Sequence, residues 1–100
     1  YHHITVLSQK QVRKRKKVNI VGRLCENNDQ FAVDRLLPEI SVGDFIVIHN
    51  AGAHAYAMAH NYNNRLRSPE YLITKSGALK QIRRAETFSD LFKTTHIEGR

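Results

Sequence analysis

The residues best suited to chemistry lie in three short clusters. Cys25–Asp29 (CENND) places the only thiol of the chain beside two carboxylates, and Asn50–His54 (NAGAH) is a turn of small residues. Asn61–Asn63 (NYN) follows shortly after them. A thiol and carboxylates can transfer protons, and a glycine turn lets the backbone approach a ligand closely. The clusters predict parts of a cofactor-dependent active site, but no residue that would hold the cofactor accompanies them. This indicates a piece of an enzyme.

Composition limits the fold and one class of partner. One hundred residues, 41% of them hydrophobic, predict one small domain with a modest core. The net charge is +7, but six basic residues lie between Lys10 and Lys17, and without them the charge would be +1. We interpret this basic segment as a solvated loop between two strands. The alternative is a small basic domain that contacts the phosphates of a nucleic acid.

The sequence also argues against a membrane helix, a signal peptide, a disulfide and a metal site. No apolar run approaches the roughly 20 residues of a membrane helix, and Tyr1–His3 lacks the features of a signal peptide. A single cysteine excludes an internal disulfide and agrees with a cytoplasmic location. The histidines lack the spacing of a metal site, so no metal is predicted. Ile97–Arg100 is similar to a protease-cleavage tag, so we interpret 1–95 as the domain and 96–100 as a candidate tag.

Strands are predicted through most of the chain, from alternating and β-branched residues. The predicted strands are His3–Leu7, Val18–Val21, Phe45–His49, Tyr71–Thr74 and Leu79–Ile82. Phe45–His49 is a nearly continuous apolar run, which is typical of a strand buried on both faces. Ser76-Gly77 separates the last two strands and predicts a hairpin, whereas Phe31–Leu37 remains ambiguous.

Short helices and turns complete the predicted architecture. Ala51–Tyr62 could form two helical turns, and Val42–Asp44 predicts a turn before a strand. Thr87 is a helix cap that precedes a short amphipathic helix with Asp90 in its first turn. The fold class predicted is all-β, mainly an antiparallel Greek-key barrel or sandwich with short helices.

Several motifs together are similar, in order and spacing, to those of the diaminopimelate decarboxylases. The matching stretches are Cys25-Glu26-x-x-Asp29, Leu37-Pro38, Gly43-Asp44, Ala51-Gly52-Ala53, Met58-x-x-Asn61-Tyr62-Asn63, Arg65-x-Arg67-x-x-Glu70, Ile82-Arg83-Arg84 and Glu86-Thr87. The opening Tyr1–Ile4 resembles the first strand after the catalytic barrel of that family. The resemblance extends from residue 1 to about residue 93 and leaves the basic segment and the tail outside it.

The resemblance implies a fold, an activity and partners. Members of the family use pyridoxal 5'-phosphate to convert meso-diaminopimelate to L-lysine and CO2. They combine an N-terminal (β/α)8 barrel, the TIM barrel, with a C-terminal β-domain that completes the site across a homodimer interface. This chain resembles that β-domain alone. The lysine that holds the cofactor is expected outside it, so the fragment by itself is expected to be inactive.

The resemblance also implies roles for four residues. Cys25 would be the catalytic acid, because a thiol is mostly protonated at neutral pH and can donate; the alternative is a buried structural cysteine. Glu26 would bind the distal ammonium of the substrate, whereas the alternative is a surface glutamate in a turn. His54 stands where most members have tyrosine and would contact substrate and cofactor. The alternative is a loop histidine whose hydrogen bonds are satisfied within the protein. Gly52 would let the loop approach the cofactor phosphate.

The same resemblance implies roles for neighbouring residues and a preferred substrate. Asp29 is expected to brace the Cys25 loop by accepting hydrogen bonds from backbone N–H groups. Asn61–Asn63 are expected to fix the shape of their loop, and Tyr56 could substitute for the missing tyrosine. Ornithine and arginine decarboxylases tend to have aspartate after the cysteine, so Glu26 favours diaminopimelate. An ornithine- or arginine-type decarboxylase domain remains the alternative.

Overall fold

The protein is described by a computed structural model that covers residues 1–10 and 14–96. Within these residues the chain forms strands joined by short helical turns. The elements are β1 (Ile4–Leu7), β2 (Arg15–Val21), β3 (Gln30–Pro38), β4 (Phe45–Ile48), α1 (Gly52–Ala55), a 3-10 turn (Tyr62–Asn64), β5 (Glu70–Ile73), β6 (Leu79–Arg83) and α2 (Phe88–Leu91). Residues 97–100 of the candidate tag lie outside the described residues. In the described part of the chain, no helix is both long and apolar enough to cross a membrane.

The chain divides into two compact units, Tyr1–Ala53 and a second unit that begins at His54. In the first unit β1 pairs antiparallel with β4, so that Ile4 lies opposite Ile48. β2 and β3, which lie between β1 and β4 in the sequence, pair with each other as an antiparallel hairpin. In the described residues β1–β4 and β2–β3 are two separate two-stranded antiparallel sheets.

β2 is longer than the sequence predicted. Arg15, Lys16 and Lys17 pair with the end of β3, so the interpretation of this part of the basic segment as a loop is wrong. The reason is the pairing with β3, because the strand continues for as long as β3 offers backbone partners. The Arg15 guanidinium donates to the Leu36 carbonyl oxygen at 3.0 Å, which ties the side chain to the same ribbon. Residues 11–13 of the basic segment lie outside the described residues.

The core of the first unit is small. Ile4, Ala32 and Leu37 are buried, and partly buried apolar side chains of β1, β2 and β4 pack against them. β4, expected to be buried on both faces, is largely exposed: Phe45 is 74% accessible to solvent and Val47 is 37% accessible. This expectation was wrong because it assumed neighbours on each face, and in the described residues β4 belongs to a two-stranded ribbon.

The second unit contains the predicted hairpin and terminal helix. β5 and β6 pair antiparallel, and Gly77 adopts the left-handed φ of +86° that the turn requires. Thr87 caps α2 in a capping box: its side chain accepts from the Asp90 N–H, and the Asp90 carboxylate accepts from the Thr87 N–H. Both predictions are confirmed. The chain is therefore mainly antiparallel β-structure with short helices, as predicted.

Candidate active site

The loop between β2 and β3 presents Cys25 and Glu26 to solvent. Its ends are closed by the Gly22 N–H, which donates to the Asp29 carbonyl oxygen at 2.7 Å. Inside it, the Asp29 N–H donates to the Glu26 carbonyl oxygen at 3.1 Å. Cys25 is exposed, so the alternative of a buried structural cysteine is wrong. Cys25 therefore lies at the surface of the first unit.

Asp29 braces this loop from within, as predicted. Its carboxylate Oδ2 accepts the Leu24 N–H at 3.0 Å, one residue before the thiol. The side chain fills the space beside Gly22: a Cβ on that residue would lie 1.9 Å from Asp29 Oδ2 and 2.3 Å from its Cγ. Only glycine fits at position 22 while the carboxylate stays in place.

A Gly22→Ala substitution is therefore expected to disturb the loop. The added methyl group must displace the Asp29 carboxylate and break its bond to the Leu24 N–H, at a cost of about 1–3 kcal/mol. We expect a lower thermal unfolding midpoint for Gly22→Ala, measured by circular dichroism. The double variant Gly22→Ala/Asp29→Ala removes the clash, so it should be no less stable than Asp29→Ala alone. If Gly22→Ala unfolds at the wild-type temperature, the packing described here is incorrect.

Glu26 is exposed and already makes one bond inside the loop. Its Oε1 accepts the Asn28 N–H at 2.9 Å, which is a turn contact of the kind that the structural alternative implies. A carboxylate has about four acceptor positions, so this bond leaves capacity for a cationic ligand. The geometry is compatible with both interpretations of Glu26.

Gly52 and His54 lie in α1, where the first unit ends and the second begins. A Cβ on Gly52 would meet no atom within 4 Å, so nothing in the described residues requires glycine there. Any such requirement would come from a ligand or a further part of the protein. The His54 side chain is exposed and its carbonyl oxygen accepts the Met58 N–H at 2.8 Å. An exposed imidazole can donate a hydrogen bond to an anionic ligand.

A polar network in the second unit was only partly anticipated. Glu86 Oε1 accepts the Asn61 Nδ2–H at 2.8 Å and the Arg67 N–H at 2.6 Å, and Asn61 also donates to the Arg65 carbonyl oxygen. The predicted structural role of Asn61 is confirmed. The organising role of Glu86 was missed, although Glu86-Thr87 was among the motifs. The glutamate was visible in the sequence, but its spacing from other residues did not reveal which groups would donate hydrogen bonds to its carboxylate.

Two carboxyl groups of this unit have lowered pKa values. The pKa of Asp90 is well below its ordinary value because the Arg84 guanidinium and then the Thr87 N–H donate to its carboxylate. The pKa of Glu86 is lowered by the Arg67 N–H and then by the Asn61 side chain. Both arrangements stabilise the ionised form.

These shifts predict that acid destabilises the second unit. A carboxyl group with a lower pKa in the folded state stabilises the fold above its unfolded pKa, and that contribution disappears as the pH falls. We expect the thermal midpoint to decrease below about pH 4.5, near the ordinary carboxyl pKa values. The difference between wild type and Asp90→Asn should be greatest at pH 6–7 and vanish at low pH. A difference that stays constant over this range would contradict the assignment.

The histidines of the first unit have structural contacts. His49 Nε2 lies 2.6 Å from Thr5 Oγ1, and His2 Nδ1 lies 2.9 Å from the His49 carbonyl oxygen. Both contacts connect the ends of β1 and β4. In the ranges 1–10 and 14–96, no group of three potential ligands is placed to hold a metal ion.

The structure thus brings Cys25 and Glu26 together in one exposed loop of the first unit. Gly52 lies near the end of that unit, and His54 begins the second. Tyr56, considered as a substitute for His54, has other contacts: the Arg67 Nη1 donates to its hydroxyl at 3.4 Å, and the Arg83 guanidinium carbon lies 3.9 Å from its ring centroid. Its ring is therefore engaged within the second unit.

Comparisons with known proteins agree with this architecture. A family model described as the pyridoxal-dependent decarboxylase C-terminal sheet domain matches residues 1–52. Protein TabA of Pseudomonas amygdali pv. tabaci is 51% identical over 90 residues, which cover 90% of this chain and 21% of that protein. The diaminopimelate decarboxylase of Methanothermobacter thermautotrophicus is 41% identical over 100 residues, which cover 100% of this chain and 23% of that protein.

A solved structure extends the likeness to three dimensions. The diaminopimelate decarboxylase from M. jannaschii in co-complex with L-lysine superposes with a TM-score of 0.83 at 37% identity, covering 97% of this chain and 22% of that one. The chain spans less than a quarter of the length of each of these relatives. The family model, the relatives and the shared sheet architecture all lead to one assignment. The chain belongs to the pyridoxal-dependent decarboxylase family and represents its C-terminal sheet domain.

Proposed function

We propose that this chain is the sheet domain of a diaminopimelate decarboxylase, which converts meso-diaminopimelate to L-lysine and CO2 in lysine biosynthesis. The observation that carries the proposal is the exposed Cys25-Glu26 pair on a braced loop, in a chain that aligns over its whole length with an enzyme of that name. The M. jannaschii diaminopimelate decarboxylase in co-complex with L-lysine, the product of this reaction, supports the proposal.

Pyridoxal phosphate, when bound, supplies the electron sink that allows CO2 to leave the α-carbon. Cys25 would then deliver a proton from Sγ to that carbon, since an exposed thiol can act as a general acid. The loop bond between Asp29 and the Leu24 N–H would hold the thiol in position. The chemical step proposed for this chain is thus one proton transfer.

Substrate and cofactor contacts are proposed for three residues. The Glu26 carboxylate would accept the distal ammonium of the substrate while one of its oxygens stays on the Asn28 N–H. His54 would donate to the phosphate of the cofactor or to the substrate, with the Gly52 backbone beside it. The covalent attachment of the cofactor is assigned to a lysine outside this chain.

Exposed apolar side chains support further contacts for both units. The most exposed ones include Phe45, Met58, Ile73, Leu79 and Phe88, each more than 60% accessible. Large exposed apolar surface is typical of an interaction site. Since the chain is only 21–23% of the length of two relatives, we infer that an N-terminal barrel and a second subunit of a homodimer cover part of this surface.

The lone exposed thiol suits a reducing compartment, and we assign the enzyme to the cytoplasm.

The experiment that tests the function is a substrate comparison with the full-length protein. Release of CO2 would be measured with meso-diaminopimelate, L-ornithine and L-arginine in the presence of pyridoxal phosphate. We expect kcat/KM to be highest for diaminopimelate, and residues 1–95 alone to be inactive. A preference for ornithine or arginine would replace the proposal by the alternative decarboxylase type. Absence of decarboxylation with all three would refute it.

A further inference from the structure

The side chain of Tyr56 connects the turn that carries His54 to the β5–β6 hairpin. The turn is closed by the Met58 N–H, which donates to the His54 carbonyl oxygen at 2.8 Å, and by the Ala59 N–H, which donates to the Tyr56 carbonyl oxygen at 3.1 Å. His54 is exposed and Tyr56 is half-buried. The residues at 55, 57 and 59 are alanines, each with a single methyl group as its side chain. Tyr56 is therefore a large, half-buried side chain that can anchor this turn.

Two arginines contact the Tyr56 ring. The guanidinium carbon of Arg83 lies 3.9 Å from the ring centroid, and that of Arg67 lies 5.2 Å from it. Both distances fall within the range of an attractive cation–π interaction. Arg67 Nη1 also donates to the Tyr56 hydroxyl at 3.4 Å, which is a long hydrogen bond. The ring is thus held mainly by the two guanidinium groups, and only weakly through its hydroxyl.

A carboxylate contacts the side chain of Arg83 and the backbone of Arg67. The Arg83 Nε–H donates to Glu70 Oε1, which joins β6 to β5. The backbone of Arg67 forms a reciprocal pair with Glu86, because the Arg67 N–H donates to Glu86 Oε1 at 2.6 Å and the Glu86 N–H donates to the Arg67 carbonyl oxygen at 3.1 Å. Tyr56 therefore contacts groups whose positions are set by the hairpin and by the segment before α2.

We propose that Tyr56 is a positioning residue for His54, acting through the turn that both residues share. The proposal rests on the proposed function, in which His54 contacts the phosphate of the cofactor. A single helical turn is not stable without tertiary contacts. Loss of the Tyr56 ring would release the turn, and a displacement of about 1 Å at a contact residue is enough to weaken its interaction severely. Tyr56 does not need to touch the cofactor for this effect.

A double-mutant cycle in the full-length enzyme tests the proposal. The variants are Tyr56→Leu, His54→Ala and the double variant, and the readout is the affinity of the apoenzyme for pyridoxal phosphate, measured by absorbance titration, with kcat and KM alongside. We expect each single variant to weaken the affinity by about tenfold. The double variant should be no weaker than His54→Ala, because Tyr56 acts through that residue. Tyr56→Phe should stay within about twofold of wild type, since its ring keeps both arginine contacts.

A second pair of variants covers the case in which Tyr56→Leu does not fold. Arg83→Met removes the closer guanidinium and leaves the tyrosine, so it should weaken cofactor affinity several-fold in the wild-type background and not in His54→Ala. Arg84→Met is the matched control. Arg84 is the adjacent arginine, pairs with Asp90 and should leave the affinity unchanged when it is replaced.

The possible failures are distinguishable. If His54→Ala weakens the affinity but Tyr56→Leu and Arg83→Met do not, the positioning role is overturned and the role of His54 stands. If the effects of Tyr56→Leu and His54→Ala add in the double variant, Tyr56 acts independently of His54 and the inference is also wrong. If His54→Ala changes neither affinity nor kinetics, the cofactor contact of the proposed function fails, and the positioning role fails with it.

Discussion

Replacing Cys25 by alanine in the full-length enzyme is expected to lower kcat for meso-diaminopimelate by at least about a hundredfold, which is the usual contribution of a general acid. KM should change little, because the thiol would act on the proton transfer and not on ground-state binding. Cys25→Ser keeps the shape of the side chain but offers a much weaker acid, so its kcat should lie close to that of the alanine variant. The measurement is the steady-state rate of CO2 release.

The control for this experiment is Asn27→Ala, an exposed position in the same loop. It should retain turnover close to wild type, which would show that a substitution in the loop does not by itself abolish activity. Wild-type turnover in Cys25→Ala would remove the thiol from the mechanism. Equal losses in Cys25→Ala and Asn27→Ala would indicate that the loop fold matters and that the thiol does not.

Glu26→Gln is expected to lower kcat/KM for diaminopimelate by about ten- to a hundredfold. This corresponds to the loss of a charge-assisted hydrogen bond worth about 1.5–3 kcal/mol. The amide oxygen of glutamine can still accept the Asn28 N–H, so the loop should keep its shape. The substitution therefore separates the charge of Glu26 from its turn contact. Thermal unfolding should be unchanged while kcat/KM decreases.

Glu26→Asp is the complementary variant for substrate choice. The shorter side chain withdraws the carboxylate by one methylene group, so the ratio of kcat/KM for diaminopimelate to that for ornithine should decrease. Glu39→Asp, which makes the same change at another exposed glutamate of the first unit, is the matched control and should leave the ratio unchanged. If Glu26→Gln retains wild-type kcat/KM, the carboxylate is a turn residue only.

Local sequence determined the elements that depend on neighbouring residues. The β5–β6 hairpin with its turn at Gly77 and the capping box of Thr87 and Asp90 follow from short-range chemistry, and the structure contains all of them. The brace from Asp29 to the Leu24 N–H is of the same kind, because donor and acceptor are five residues apart. The ordered motifs, including Cys25 and Glu26, were sufficient to indicate the family.

The tertiary structure decided what depends on distant partners. The apolar pattern of Phe45–Ile48 predicted a strand correctly but its burial wrongly, because burial depends on what packs over each face and not on the strand itself. The extension of β2 to Arg15 depended on the length of β3 opposite it. The contacts between Tyr56 and Arg83, 27 positions apart in the sequence, depended on how the chain returns to itself. Local propensity encodes elements, whereas exposure, register and long-range side-chain contacts are set only when those elements meet.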